Sequence, residues 1–352
     1  MKKPQSKPAA QLVRKLWRKR WLRITLIVAT ILLTLFFTAR FWNPIVFPPV
    51  KQAHIGVSFS TKQTAILGID WRETYNALID DMGIKRFRLM SYWDLHEANR
   101  NEYDFSTLDE QIAIAEKKEA KVTLAIGLRQ PRWPECHEPD WAVNLDEKKW
   151  QAELMEYIEA VVKRYENSPA AISWQLENEY YNSIFKSCRL STPQRLYDEF
   201  DLARNISKKP IWMSMTDQHG FQTDMPAADR YGFSVYRELY STKGYTGYIT
   251  YPTPIWYHRL RAAIISGTSG KDIYIHELQL EPWGPTDIPY LSIDEQNKSM
   301  STKHIADNLY FAREIGVRDI YVWGGEWWYW RKVHGDPSIW DTVKVQIREA
   351  ER

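Results

Sequence analysis

Beyond residue 53 the chain alternates short apolar runs with longer stretches in which apolar residues recur every three or four positions. The runs fall at 54–59, 86–92, 121–127, 171–177, 210–215, 231–236, 272–277 and 319–324. Their near-continuous apolar character predicts parallel strands covered on both faces. The stretches 71–82, 108–118, 150–165, 192–206 and 302–315 carry the helical period and predict amphipathic helices. Eight β-α repeats between residues 54 and 352 fit a (β/α)8 TIM barrel, whereas a doubly wound sheet of that length needs fewer strands or a second domain. No solenoid period, low-complexity block or second linker interrupts this region, so 54–352 is expected to be one domain. Residues closing each strand then ring one face of the barrel, where chemistry is expected.

The first part of the chain reads differently. Positions 1–40 hold ten basic residues and no acidic one, so the remainder of a chain with formal net charge +3 carries −7. That argues against nucleic-acid binding by the main domain, which would need a basic face of its own. Nine of the basic residues precede the uncharged stretch 24–39, in which only Thr25, Thr30, Thr34 and Thr38 are polar. The pattern predicts a basic cytoplasmic segment at 1–23 and a single-pass transmembrane anchor at 24–42, in contact with membrane lipid. Arg23 and Arg40 would snorkel, and Trp21, Phe41 and Trp42 would sit at the interfaces. A cleaved signal peptide is the alternative, although Arg40-Phe41-Trp42 lacks a small-residue cleavage pattern. The proline-containing segment 43–53 suits a stiff spacer. By the positive-inside rule the domain after it is extracytoplasmic. Cys136 and Cys188 then lie where disulfides persist, and their pairing would contribute about 4 kcal/mol in the chain-entropy model. Two buried free thiols are the alternative.

The fourth run ends in Glu177-Asn178-Glu179, and the seventh ends in His276-Glu277, with Glu281 four residues later. Two carboxylates from opposite sides of a barrel mouth suit retaining glycoside hydrolysis. One gives a proton to the leaving oxygen and the other attacks the anomeric carbon from about 5 to 5.5 Å away. Taken singly, each of these glutamates also reads as an ordinary loop acid.

Asn178-Glu179 after strand four, a glutamate closing strand seven and Trp323 on strand eight together resemble clan A of the retaining glycoside hydrolases. That clan includes cellulases, β-mannanases and many β-galactosidases. The resemblance covers nearly all of 54–335. It implies Glu179 as acid/base, Asn178 as the contact to the sugar 2-hydroxyl, and Glu277 as nucleophile, with Glu281 as the rival. It leaves Glu177 to point into the wall or support the site. It further implies that Arg88, or Arg86 if the strand register slips, donates to the nucleophile and holds it ionised. Tyr236 matches the residue that hydrogen-bonds the nucleophile, with a barrel-wall aromatic as the plainer reading. Leu278-Gln279 departs from the aromatic-glycine pair of many members and leaves the subfamily open. The segment from Trp93 to Asp109 resembles the clan's second β-α loop. His96 there either contacts substrate or, as is commoner, ties down its loop.

The chain has 17 tryptophans and 20 tyrosines, several of them at strand ends, and sugar rings stack their C–H faces on such groups. Trp323, Trp133 and Trp93 are the stacking candidates, and Glu326 is a candidate hydroxyl partner. The expected activity is hydrolysis of β-linked glycosides in an oligosaccharide or polysaccharide through a covalent glycosyl-enzyme. No cofactor is expected. A transglycosylase and a catalytically inactive carbohydrate-binding barrel are the alternatives. A metal-dependent hydrolase is disfavoured, because the histidines form no His-x-His or HExxH pattern.

Overall fold

The computed structural model describes residues 8–182, 188–189, 192–215, 220–221, 224–242 and 245–352. Eight parallel strands close into a barrel: β1 (His54–Phe59), β2 (Arg86–Met90), β3 (Lys121–Ile126), β4 (Ala171–Leu176), β5 (Ile211–Ser214), β6 (Arg230–Val235), β7 (Asp272–Gln279) and β8 (Asp319–Trp323). Each pairs with the next, and β8 returns to β1 with His54 opposite Asp319. The expected helices are present at Trp71–Asp80, Ser106–Lys117, Glu147–Tyr165, Pro193–Ile206 and Thr302–Ile315. Their starts are set by capping side chains where the sequence supplies them: Asp70, Asp146, Thr192 and Ser301 each accept a backbone N–H from the first turn. A two-stranded antiparallel hairpin, Glu238–Ser241 with Gly247–Thr250, was not predicted by the pattern.

The barrel is filled, not hollow. Trp212, Tyr274 and Tyr321 form an aromatic cluster in it. Two glycines make the room, since a Cβ on Gly56 would lie 2.6 Å from the Tyr321 ring and one on Gly232 2.7 Å from that of Tyr274. At the starts of the strands, Asp319 accepts from Arg230 at 2.6 Å and meets His54 Nδ1 at 2.9 Å, with Arg86 at 3.8 Å. This polar floor accounts for Arg86, which therefore faces away from the mouth.

The chain divides into two compact units, 1–48 and 49–352. In the first, a helix runs from Pro8 to Val46 and takes in the beginning of the expected spacer. Pro44 falls in its last turn, where the missing N–H costs one bond only. Among the described residues no helix is long and apolar enough to cross a membrane, which leaves the transmembrane expectation for 24–42 unsupported. The physical reason lies in the sequence, because the uncharged stretch between Arg23 and Arg40 is short and four of its residues are threonines. The hydroxyls of Thr25, Thr30 and Thr38 bond back to the carbonyls of Trp21, Leu26 and Thr34. Residues 1–7 and the side chains of Arg40 and Trp42 lie outside the described residues.

Candidate active site

The turn after β4 is held by its first acid. Glu177 accepts the backbone N–H groups of Leu128 at 2.8 Å and Arg129 at 2.7 Å, so both its oxygens serve the wall. Gly127 leaves the space for this, because a Cβ there would come within 2.6 Å of Glu177 Oε1. Arg129 fixes the same turn from the side, donating through Nε to the Asn178 carbonyl at 2.8 Å and pairing with buried Glu135. Glu177 and Glu179 both adopt positive φ, 53° and 43°, which is unusual for residues with a Cβ and marks a turn held in place by its surroundings. Asn178 points its amide at Glu135 Oε1, 3.3 Å away, and its carbonyl oxygen accepts from Gln175 at 3.1 Å.

Glu179 is 1% exposed. Its Oε2 accepts from Asn182 Nδ2 at 2.7 Å and its Oε1 from the Ser234 hydroxyl. Across the mouth, Glu277 at the end of β7 accepts from Arg88 Nη2 at 2.8 Å and from the Tyr236 hydroxyl. Arg88 is itself pinned by donating to Ser58 Oγ at 2.9 Å and to Gln175 Oε1 at 3.0 Å. Burial acts to raise the Glu277 carboxyl, but the Arg88 charge and the Tyr236 hydroxyl outweigh it and hold the group far below the usual carboxylate range. Burial and the facing carboxylates of Glu277 and Glu179 push the Tyr236 phenol up.

His276 lies between the two acids, although alternation along a strand sends neighbours to opposite faces. A β-bulge explains its position. On β6, Phe233 pairs with Ile275 and Ser234 with Glu277; on β8, Ile320 pairs with Ile275 and Val322 with Leu278. Both neighbouring strands therefore skip His276, and the extra residue turns into the mouth. Its Nδ1 accepts from Arg88 Nη1 at 3.3 Å, which puts the proton on Nε2, 3.2 Å from Ser234 Oγ. Burial brings its pKa down to about 4, so the ring is neutral near pH 7. One ligand atom each from Glu179, His276 and Glu277 lie within 4.8 Å of one another.

The structure thus brings together Glu179, Glu277, Asn178, Arg88 and Tyr236, with the Trp323 ring 6.1 Å from that of Tyr236. Trp133 is 65% exposed in the loop after β3. Trp93 is not a site residue. It is wholly buried, stacked on Tyr157 with Trp150 and Trp141 at its edges, because the helical turn Trp93–His96 directs it into the layer outside the barrel. His96 ties down its loop through Nδ1 and the Asp104 carbonyl at 2.9 Å. Glu281 gives both oxygens to Arg132. Glu326 is buried beside the same guanidinium, 3.7 Å away. Cys136 and Cys188 form a disulfide, and Arg129 Nη1 lies 3.3 Å from Cys188 Sγ. Sequence reasoning did not pick out His276, Ser234, Glu135 or Asn182 as site groups. Of these, only His276 carried a signal, through its adjacency to Glu277.

Residues 52–192 match the cellulase family, glycosyl hydrolase family 5. No curated protein sequence matches the chain. Among solved structures, a GH5_18 variant from Bifidobacterium longum subsp. longum in complex with Manb1-4GlcNAc aligns at 14% identity. It covers 77% of this chain and 69% of its own, with a TM-score of 0.57. GH5_18 from Streptomyces cattleya in complex with GlcNAc aligns at 10% identity over 85% of this chain and 80% of its own, also at 0.57. An endo-beta-1,4-xylanase of glycoside hydrolase family 10 from Gloeophyllum trabeum aligns at 13% identity over 86% and 98%, at 0.54. At such identities these likenesses speak for the fold alone. The match to glycosyl hydrolase family 5 is thus confined to residues 52–192, and beyond them the chain is similar to the glycoside hydrolases in its barrel fold.

Proposed function

We propose that this chain is a retaining β-glycoside hydrolase that works by double displacement on an oligosaccharide or polysaccharide. The observation that carries this reading is that one carboxylate oxygen of Glu179 and one of Glu277 lie within 4.8 Å of each other. So close an approach suits the roughly 5 to 5.5 Å carboxyl separation of retaining enzymes better than the about 6.5 to 9.5 Å of inverting ones. Glu277, kept ionised by Arg88 and Tyr236, attacks the anomeric carbon. The bond to the leaving oxygen breaks as Glu179 gives that oxygen its proton. Glu179, now a carboxylate, takes a proton from the water that attacks the same carbon and releases Glu277. Trp323 carries the ring face, and Asn178 the contact to the 2-hydroxyl.

A 2-fluoro glycoside with a good leaving group should label Glu277 covalently. The Glu179→Ala variant should keep the label and turn over slowly. Absence of labelling across gluco-, manno-, galacto- and xylo-configured reagents would overturn the reading in favour of a silent carbohydrate-binding barrel.

The reading extends to place: the amino-terminal helix attaches the enzyme to a membrane, with the barrel outside the cytoplasm. Support comes from the basic residues before Ile24 and from apolar side chains exposed around the helix, among them Leu26, Ile27, Leu32 and Leu33, each more than half exposed. The Cys136–Cys188 disulfide agrees with an oxidising compartment. Recovery of the full chain in the soluble cell fraction would reject this part alone.

A further inference from the structure

The side of the mouth away from Glu179 is tied shut by a buried polar seam that the chemistry above does not use. Arg132, in the loop after β3, donates from Nη1 to Oε1 of Glu281 at 2.9 Å and from Nη2 to its Oε2. The guanidinium lies 3.7 Å from Glu326 and 5.5 Å from the centre of the Trp323 ring. Glu326 Oε1 accepts the backbone N–H of Ser60, just past β1, and the Ser60 hydroxyl meets that of Tyr92, past β2, at 2.6 Å. The loops after β7, β8, β1, β2 and β3 are joined in this way. Glu281, Glu326, Ser60 and Tyr92 are all at most 3% exposed. Burial and the Glu326 charge push the Glu281 carboxyl up to about 7 against the pull of Arg132, so prying the guanidinium away would leave two buried acids facing each other.

Within this seam Glu326 Oε2 and Trp323 Nε1 are buried and lack a hydrogen-bond partner. A buried carboxylate oxygen left in that state costs free energy that a ligand hydroxyl recovers. Acid and nucleophile fix the direction of the substrate. The leaving oxygen must lie by Glu179, over β4, so the sugar taken up by Glu277 extends the other way, along Trp323 towards Arg132.

We propose that the Arg132–Glu281–Glu326 seam closes the site one sugar beyond the point of cleavage, so that the enzyme removes single sugars from the non-reducing end of a β-linked chain. The terminal hydroxyl is read by Glu326 Oε2, to which it donates, and by Trp323 Nε1, from which it accepts. An internal residue carries a further sugar at that hydroxyl and meets the seam instead. The inference rests on the glycosidase reading and adds chain-end specificity to it.

The test uses the full chain with aryl β-monoglycosides and with β-linked oligosaccharides labelled at the reducing end, in gluco, manno, galacto and xylo configurations. The expected result is hydrolysis of an aryl monoglycoside, and shortening of the matching oligosaccharide by one unlabelled sugar at a time. Early release of mixed labelled fragments would overturn the closed end while leaving the glycosidase reading intact. No hydrolysis of any substrate would overturn both. Arg132→Ala should lower kcat/KM on the aryl monoglycoside by about tenfold or more and admit internal cleavage. Should that variant fail to fold, Glu326→Gln serves: it should raise KM for the terminal sugar while the melting temperature holds, and an unchanged KM would count against the hydroxyl contact.

Discussion

The two ends of the barrel use the same groups to opposite ends. At the floor, Asp319 is ringed by Arg230, His54 and Arg86, with Glu351 near His54 and Arg86. At the mouth, Glu179, Glu277 and Glu135 share a buried space with Arg88 and Arg129, while His276 is neutral near pH 7. Where one carboxyl is ringed by cationic and donor groups, it is stabilised as an anion. Burial, which raises Asp319, is outweighed by Arg230, His54 and Arg86. Where acids exceed cations, they divide. Glu277 is driven down, whereas Glu135 is pushed well up by burial and by Glu179. Charge matching thus marks the end that holds the fold together, and charge mismatch the end equipped to pass a proton.

The sharpest way to break this comparison is to remove one charge at the crowded end. Glu179→Gln should cost about 10²- to 10⁴-fold in kcat on glycosides with poor leaving groups. The same change should raise stability by about 1 kcal/mol, because it relieves repulsion among buried acids. Steady-state kinetics and thermal melting of the same preparation decide it. A variant both inactive and less stable would remove the contrast between the ends.

At the floor the signs reverse. Asp319→Asn should cost about 1 to 2 kcal/mol in stability, since it leaves the partly exposed guanidinium groups of Arg230 and Arg86 unmatched, with kcat per folded molecule largely kept. The pH dependence follows from the lowered pKa. A depressed carboxyl stabilises the fold fully above its unfolded value of about 3.9, and the contribution is lost as pH falls through the folded value. Denaturation curves from pH 6 to pH 2 should therefore be steeper for the native chain than for Asp319→Asn in the acid range. Parallel curves would count against the floor as a stabilising cluster.

Much of this architecture was legible because it is written in local pattern. The eight strands are buried on both faces, so their apolar runs stood out, and the paired Glu179 and Glu277 fell at strand ends that a barrel gathers on one face. What stayed hidden depends on distant pairing or on a single rotated residue. The hairpin Glu238–Ser241 with Gly247–Thr250 is only partly buried and gave no apolar run. Trp93 looked like a mouth residue from its position after β2, yet one helical turn sends it into the outer layer. Arg132 adopts φ 86°, a conformation that no spacing rule assigns to arginine, and so its reach to Glu281 and Glu326 was invisible. His276 was the hardest to foresee, because the bulge that turns it inward exists only in the register of β7 against both neighbours.

That bulge supplies the finest test of the contrast. His276 acts on Glu277 through Arg88, whose Nη1 it holds at 3.3 Å while Nη2 donates to Glu277 at 2.8 Å. His276→Asn keeps a polar group of similar reach towards Ser234 but removes the ring nitrogen that accepts from Arg88. With that support gone, the Glu277 carboxyl should rise, and the acid limb of kcat/KM, which reports the free enzyme, should move to higher pH by about one unit. The plateau near pH 7 should change less than the limb, since the carboxyl would still be ionised there. Labelling by the 2-fluoro glycoside needs the nucleophile but not the proton donor, so its rate should show the same displacement. A uniform loss at every pH, with the limb in place, would mean that His276 only fills space at the bulge. A shifted limb in both measurements would tie the irregular strand directly to the ionisation of the nucleophile.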